Sequence, residues 1–139
     1  MALNVVLSVG VLLLFTPGSR SSEGGTLVPI SLTVENDLLN LTPESHTLSV
    51  VEGGVLLGAL RRLQETQNYF TFTVKENPDF GVWLDSVNGV AGNDVDGTYW
   101  ELLTESSGEY TRLEVGVGCY VPKPGEHIIL RFTSWKTQQ

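Results

Sequence analysis

Residues 55–68 read VLLGALRRLQETQN, and their apolar side chains do not alternate. Leu56, Leu60 and Leu63 recur at spacings of four and three, with Leu57 alongside. That period predicts an amphipathic helix over 55–67. Gly58 lies inside it and costs up to about 1 kcal/mol against Ala. The expectation is that Gly58 lets the helix sit close to a sheet. On both sides of this segment the period falls to two, the signature of strands. Upstream, TLVPISLTVEND alternates through Ile30, Leu32 and Val34 before an Asn36-Asp37 turn. HTLSVVEGG from His46 follows, ended by Gly53-Gly54, and the two pair as a hairpin. Downstream, FTFTVKEN alternates Phe70, Phe72 and Val74, and FGVWLDSVNGV carries the hairpin signal Asn88-Gly89. TYWELLTE is a further strand, YTRLEVGVGCYVP a loop and a short run, and HIILRFTSW a closing strand. Many strands with one early helix packed across a small mixed or antiparallel sheet make an α+β domain, β-grasp-like in form.

The 139 residues suit one domain. The first stretch stands apart from it. An apolar run from Val5 to Phe15 is broken by Thr16, Pro17 and Gly18, the layout of a secretory signal peptide. The run is too short to span a bilayer core of about 30 Å as a helix. A retained anchor is the alternative reading. Cleavage is expected between Gly18 and Ser22. The organisation is then a signal peptide over 1–20, a flexible leader over 21–28 and a folded domain over 29–139. No later segment is long and apolar enough for a membrane span. The expected destination is extracellular.

The net charge is −8, and all sixteen Asp and Glu follow Ser22. Such a surface repels phosphate backbones, which argues against nucleic-acid binding. Cys119 is the sole cysteine, so no disulfide forms within the chain. It is read either as a small buried residue on a strand or as the link of a disulfide-bonded dimer. Asn40-Leu41-Thr42 is a glycosylation sequon, with Pro43 directly after it reducing its use. Ser86, Ser106 and Ser107 lie in no nucleophile-elbow pattern, and the chain reads as a non-enzyme. His46 and His127 belong to no metal-ligand spacing, and His127, at a strand start, is expected to face solvent. Residues 93–97, NDVDG, have the composition of a calcium loop without its distal Glu, and read as a turn.

The order of three short motifs carries a family resemblance. They are G-x-x-x-x-S-V-N over 81–88, T-Y-W-x-x-L over 98–103, and G-V-x-x-Y-x-P over 116–122. With the helix after a Gly-rich step and the closing strand, this pattern resembles the C-terminal β domain of the cobalamin-transport proteins, the intrinsic factor, transcobalamin and haptocorrin family. The likeness runs from Pro29 to Trp135. In that family a helical barrel binds one side of the corrin and the β domain closes over the other. Here the helical half has no counterpart. The resemblance implies cobalamin as a ligand and four contacting positions. Leu84 precedes the Asn-Gly turn, Trp100 lies beside the pocket, Leu102 follows the Tyr-Trp pair, and Leu113 lies on the next loop. It also implies a partner for the other face, either a separate helical-domain protein or a cell-surface receptor.

The residue pattern alone weighs these positions differently. Tyr99 and Trp100 are adjacent on a strand and point to opposite faces, so one of them is core. Leu102 shares the face of Trp100. Leu84 reads as core on its own, while Leu113 lies where no period holds and is expected to be an exposed apolar residue. A second functional reading stays open: a secreted interaction module that keeps the fold, binds no vitamin, and offers an apolar hairpin to another protein.

Overall fold

The computed structural model describes residues 25–79 and 81–136. The expected signal peptide and residues 21–24 of the expected leader lie outside the described residues. In chain order the elements are β1 (Leu27–Asn36), β2 (Glu44–Val51), α1 (Leu56–Thr66), β3 (Phe72–Asn77) and β4 (Gly81–Val87). There follow β5 (Val90–Ala91), β6 (Thr98–Ser106), β7 (Glu109–Arg112) and β8 (His127–Ser134). Five strands form one sheet in the order β2-β1-β8-β6-β7, and β3-β4-β5 form a second, three-stranded sheet. Within the large sheet β1 and β8 run parallel, and the other neighbours are antiparallel. A mixed sheet whose first and last strands lie side by side, with one helix across it, is the α+β, β-grasp-like arrangement expected.

Alternation along each strand sends one set of side chains to a common core. Ile30 and Leu32 of β1, Leu48 and Val50 of β2, Ile128, Leu130 and Phe132 of β8, and Trp100 and Leu102 of β6 meet there. The helix adds Leu56, Ala59, Leu60 and Leu63, the face that its spacing marks. Phe72, Leu84 and Val87 join the same cluster from the second sheet. Helix and small sheet thus cover one face of the large sheet. The helix also protects the free edge of β2, where Arg62 Nη1 donates to the Ser49 carbonyl at 2.7 Å.

Val55, at the helix N-terminus, offers no capping side chain. The helix's orphan donors are instead met by a distant loop, with Leu56 N–H bonded to Tyr120 O at 2.8 Å and Leu57 N–H to Val117 O at 2.9 Å. The β4–β5 turn is the one that Asn88-Gly89 encodes, with φ of 51° and 84°. The β1–β2 turn is held by Asn36 Oδ1, which accepts from the N–H groups of Leu38 and Leu39.

Several expectations are corrected. Gly58 is exposed, and a Cβ there would meet nothing within 4 Å, so it serves no close helix–sheet contact. Cys119 is exposed in a turn rather than buried on a strand. His127 does not face solvent freely. On the sheet's outer face its Nδ1 lies 2.7 Å from Glu105 Oε1 and its Nε2 lies 2.7 Å from Thr33 Oγ1. These bonds join β6, β8 and β1. Glu105 Oε2 also accepts from Gly108 N–H, which fixes the β6–β7 turn. On the same face Arg131 lies 3.2 Å from Glu35, 3.9 Å from Asp37 and 3.8 Å from Glu101, with Tyr110 beneath its guanidinium. Burial works against that guanidinium's charge, but the bond and charge of Glu35, helped by Asp37 and Glu101, hold its pKa above the usual value.

Gly58→Ala should raise stability by roughly 0.5–1 kcal/mol, read as a higher urea midpoint. The Glu105 carboxyl is held below its ordinary value of 4.5, first by the His127 hydrogen bond and then by that of Gly108. A depressed carboxylate stabilises the fold above its unfolded pKa, and the contribution fades as acid titrates it. Stability should therefore fall as pH drops below 4.5, and Glu105→Gln should flatten that acid limb in urea midpoints taken across pH.

Candidate functional site

A groove runs between β4 and the β6–β7 hairpin. One part, about 700 Å³, is lined by residues including Lys75, Trp83, Leu84, Val95, Arg112 and Trp135. An adjoining part, about 250 Å³, shares Trp83, Leu84, Tyr99, Trp100 and Arg112, and adds Leu102 and Leu113–Gly116. All four sequence-derived positions, Leu84, Trp100, Leu102 and Leu113, line this second part.

They do not line it as exposed contacts. Leu84, Trp100 and Leu102 are 4%, 8% and 7% exposed and belong to the core. Trp100 packs on Phe132 with ring centroids 5.1 Å apart, and its indole N–H donates to Val90 O at 2.8 Å. These side chains form the groove's floor, and the Trp100 bond ties β5 to β6. Leu113, expected to be exposed, is half-buried and packs against the core. Its N–H donates to Leu102 O at 2.9 Å. The tip of the β6–β7 hairpin, residues 106–109, is polar and exposed.

The rim consists of side chains that sequence reasoning passed over. Trp83 and Trp135 are 43% and 41% exposed. Trp83 sits out of phase with buried Leu84, and that alternation was the available signal. Tyr99 packs against Trp135 at 5.9 Å, and Arg112 lies over the Tyr99 ring at 5.8 Å. Arg112 also pairs with Glu101 at 3.6 Å, and Lys75 with Asp85 at 3.6 Å. The groove is therefore aromatic at its mouth, with its charges largely compensated.

Main-chain groups add polarity. Thr98 and Asn93 exchange both N–H···O bonds at 3.0 Å, and Leu102 O accepts from Leu113 N–H. Alternation turns the N–H and C=O of Trp100, which lies between them, to that same side, toward the groove. The far wall, Leu113–Gly116, is pressed onto β4. A Cβ at Gly116 would come within 2.5 Å of Val82 O, so only glycine permits that approach. The wall continues into buried Val117 and half-buried Tyr120. The Tyr120 hydroxyl donates to Glu126 Oε1 at 2.7 Å, and burial followed by Glu126 raises its pKa well above 10.0.

Residues 93–97 form the expected turn. Asn93 Oδ1 accepts from the N–H groups of Val95 and Asp96. Among the described residues no group of three His, Cys, Asp or Glu is placed to hold a metal ion. Ser86, one of the serines considered for catalysis, is hydrogen-bonded to Thr73 Oγ1 at 2.6 Å.

No protein-family model matches the chain. It is 38% identical over 98 residues to cobalamin binding intrinsic factor of Mus musculus, an alignment covering 70% of this chain and 22% of that protein. It is 33% identical over 111 residues to the Canis lupus familiaris intrinsic factor, covering 78% of this chain and 25% of that protein. Transcobalamin-1 of Homo sapiens is 34% identical over 89 residues, covering 63% and 19%. Among solved structures, haptocorrin in complex with Cbi (cobinamide) superposes with a TM-score of 0.67 at 27% identity, over 79% of this chain and 26% of that one. A Ruminococcus gnavus protein superposes with a TM-score of 0.50 at 15% identity, over 77% of this chain and 97% of its own, a likeness of fold alone. The chain spans about a quarter of the length of the curated relatives it matches. The intrinsic factors are named for cobalamin binding. Over most of its described length the chain is homologous to the cobalamin-binding intrinsic factor and transcobalamin family, corresponding to one domain-sized part of those proteins.

Proposed function

We propose that the chain is a secreted module that binds a cobalamin-type ligand in the β4/β6–β7 groove and caps one face of its corrin ring. The observation that carries this reading is the convergence of Leu84, Trp100, Leu102 and Leu113 on one groove, in a chain homologous to cobalamin binders. A corrin has an apolar rim and polar amides. The rim matches the Trp83, Trp135 and Leu113 surfaces, whose burial contributes about 25 cal/mol per Å². The amides match the main-chain groups of Trp100. The half-closed shape buries one side of so large a ligand and leaves the other for a partner. A separate helical-domain protein or a cell-surface receptor is the partner this reading assigns, and affinity without it is modest.

A second reading is favoured by one specific feature. Leu38, Leu39 and Leu41 are exposed together on the β1–β2 loop. An apolar loop of this kind suits a module that binds another protein, and exposed Cys119 would allow a disulfide-linked dimer. The sequon Asn40-Leu41-Thr42 lies on the same loop, with Asn40 and Thr42 exposed. In a secreted chain an N-linked glycan there would shield these leucines.

Leu113→Ala and Trp83→Ala should each weaken cobinamide binding by about tenfold, or ~1.4 kcal/mol, in an absorbance titration. Unchanged affinity in both would remove the groove as the site. Thermal melts separate this from unfolding, since Trp83 is a rim residue. Chain secreted from eukaryotic cells should lose mass on treatment with peptide-N-glycosidase, and Thr42→Ala should abolish that loss. A secreted chain of unmodified mass would refute the glycan.

A further inference from the structure

The outer face of the large sheet carries a run of hydrogen bonds in a chemically meaningful order. Thr33 Oγ1 lies 2.7 Å from His127 Nε2, and His127 Nδ1 lies 2.7 Å from Glu105 Oε1. The other oxygen of Glu105 accepts from Gly108 N–H at 2.8 Å. The His127 bond, followed by that of Gly108, keeps this carboxyl below its ordinary value, so it is ionised and can only accept. The Nδ1 proton therefore points at Glu105. In the neutral ring Nε2 keeps its lone pair, and the Thr33 hydroxyl donates to it. Hydroxyl, imidazole and carboxylate thus stand in the order that activates a nucleophile, each within hydrogen-bond reach of the next. The hydroxyl end opens on a hollow of about 260 Å³ lined by Ser31, Thr33, Ser45, Thr47 and His127.

We propose that Thr33 is a covalent modification site, a hydroxyl activated by His127 that takes an acyl group from an activated donor such as an aryl ester or thioester. Thr33 Oγ1 attacks the carbonyl carbon of the donor, and its proton passes to His127 Nε2. The bond from that carbon to the leaving oxygen or sulfur breaks, and the leaving group departs with the electron pair and takes up the proton. The products are an ester on Thr33 and a free phenol or thiol, with nothing oxidised or reduced. Glu105 is a positioning residue that fixes the ring's tautomer and balances the charge His127 gains in passing. The fold also limits the chemistry. β1 is an inner strand between β2 and β8, so its N–H donors are committed to the two ladders. A developing oxyanion finds no donor there, and such a loss costs roughly a hundredfold to a thousandfold in rate. Only donors with good leaving groups react, and the ester persists once formed. The step is a single stoichiometric modification without turnover. It takes place across the large sheet from the helix and the small sheet, and it is independent of the groove reading.

The test exposes the chain to para-nitrophenyl acetate at neutral pH and follows each acetylated site over time by peptide mass mapping. Cys119 and the lysines label too, on other peptides and without help from His127. Ser45 and Thr47, exposed hydroxyls of the same hollow, are the internal comparators. Thr33 should take up one acetyl group at least about tenfold faster than either. His127→Gln should slow the Thr33 label by about a hundredfold and Glu105→Gln by about tenfold, with the lysine labels unchanged. Thr33→Val should remove that label and no other. A Thr33 that stays free, or that labels no faster than Thr47, overturns the proposal. So does a Thr33 label that keeps its rate in His127→Gln. The comparison with Thr47 is made within the native chain, so it decides the matter even where a variant fails to fold.

Discussion

The parallel pairing of β1 with β8 is the constraint on which the rest depends. Residues Ser31–Asn36 lie beside His127–Phe132, so the two ends of the folded region are stitched together at its centre. Parallel neighbours need a long crossover, and everything between them in sequence is that crossover. The helix, the three-stranded sheet and the β6–β7 hairpin are packed into the space it defines. With β8 fixed, β6 takes register from Thr98↔Ser134 to Glu105↔His127. That register brings Trp100 opposite Phe132 and fixes where the groove can form.

The groove is the seam left where the small sheet meets the edge of the large one. β7 pairs with the distal half of β6, Leu103–Ser106, and the segment after β5 meets β6 at the isolated Asn93–Thr98 bridge. Between them the edge of β6 stays open around Trp100. Two close approaches keep the seam from closing or gaping. The Trp100 indole is bonded to Val90 O on one side, and Gly116 lies against Val82 O on the other. The first is a directional hydrogen bond and the second a close packing that any side chain at Gly116 would break, while the rim of Trp83, Trp135 and Arg112 stays exposed.

Much of this was legible in the sequence because it is local. The alternation through Ile30 and Leu32, the four-and-three spacing of Leu56, Leu60 and Leu63, and the Asn88-Gly89 turn each encode their own conformation. What could not be read depends on distant partners. A strand's pattern names its buried face but not its neighbour, so the β2-β1-β8-β6-β7 order was hidden. The helix start carries no capping side chain, because carbonyls of Val117 and Tyr120 do that work from far along the chain. His127 looked solvent-facing because its partners, Thr33 and Glu105, lie 94 and 22 residues away. The site was partly legible. Leu84, Trp100, Leu102 and Leu113 came from a family likeness and do converge, but three of them proved to be floor rather than contact surface. Trp83 is out of phase with buried Leu84, so its exposure was legible in the alternation of β4 but its place on the rim was not.

The most direct measurement is a cobalamin titration of the purified chain, followed by corrin absorbance and tryptophan emission. A saturable one-to-one change in both signals is expected, weak in affinity because one face of the corrin remains uncovered. Absorbance and emission that stay unchanged up to the solubility limit of the ligand would contradict it.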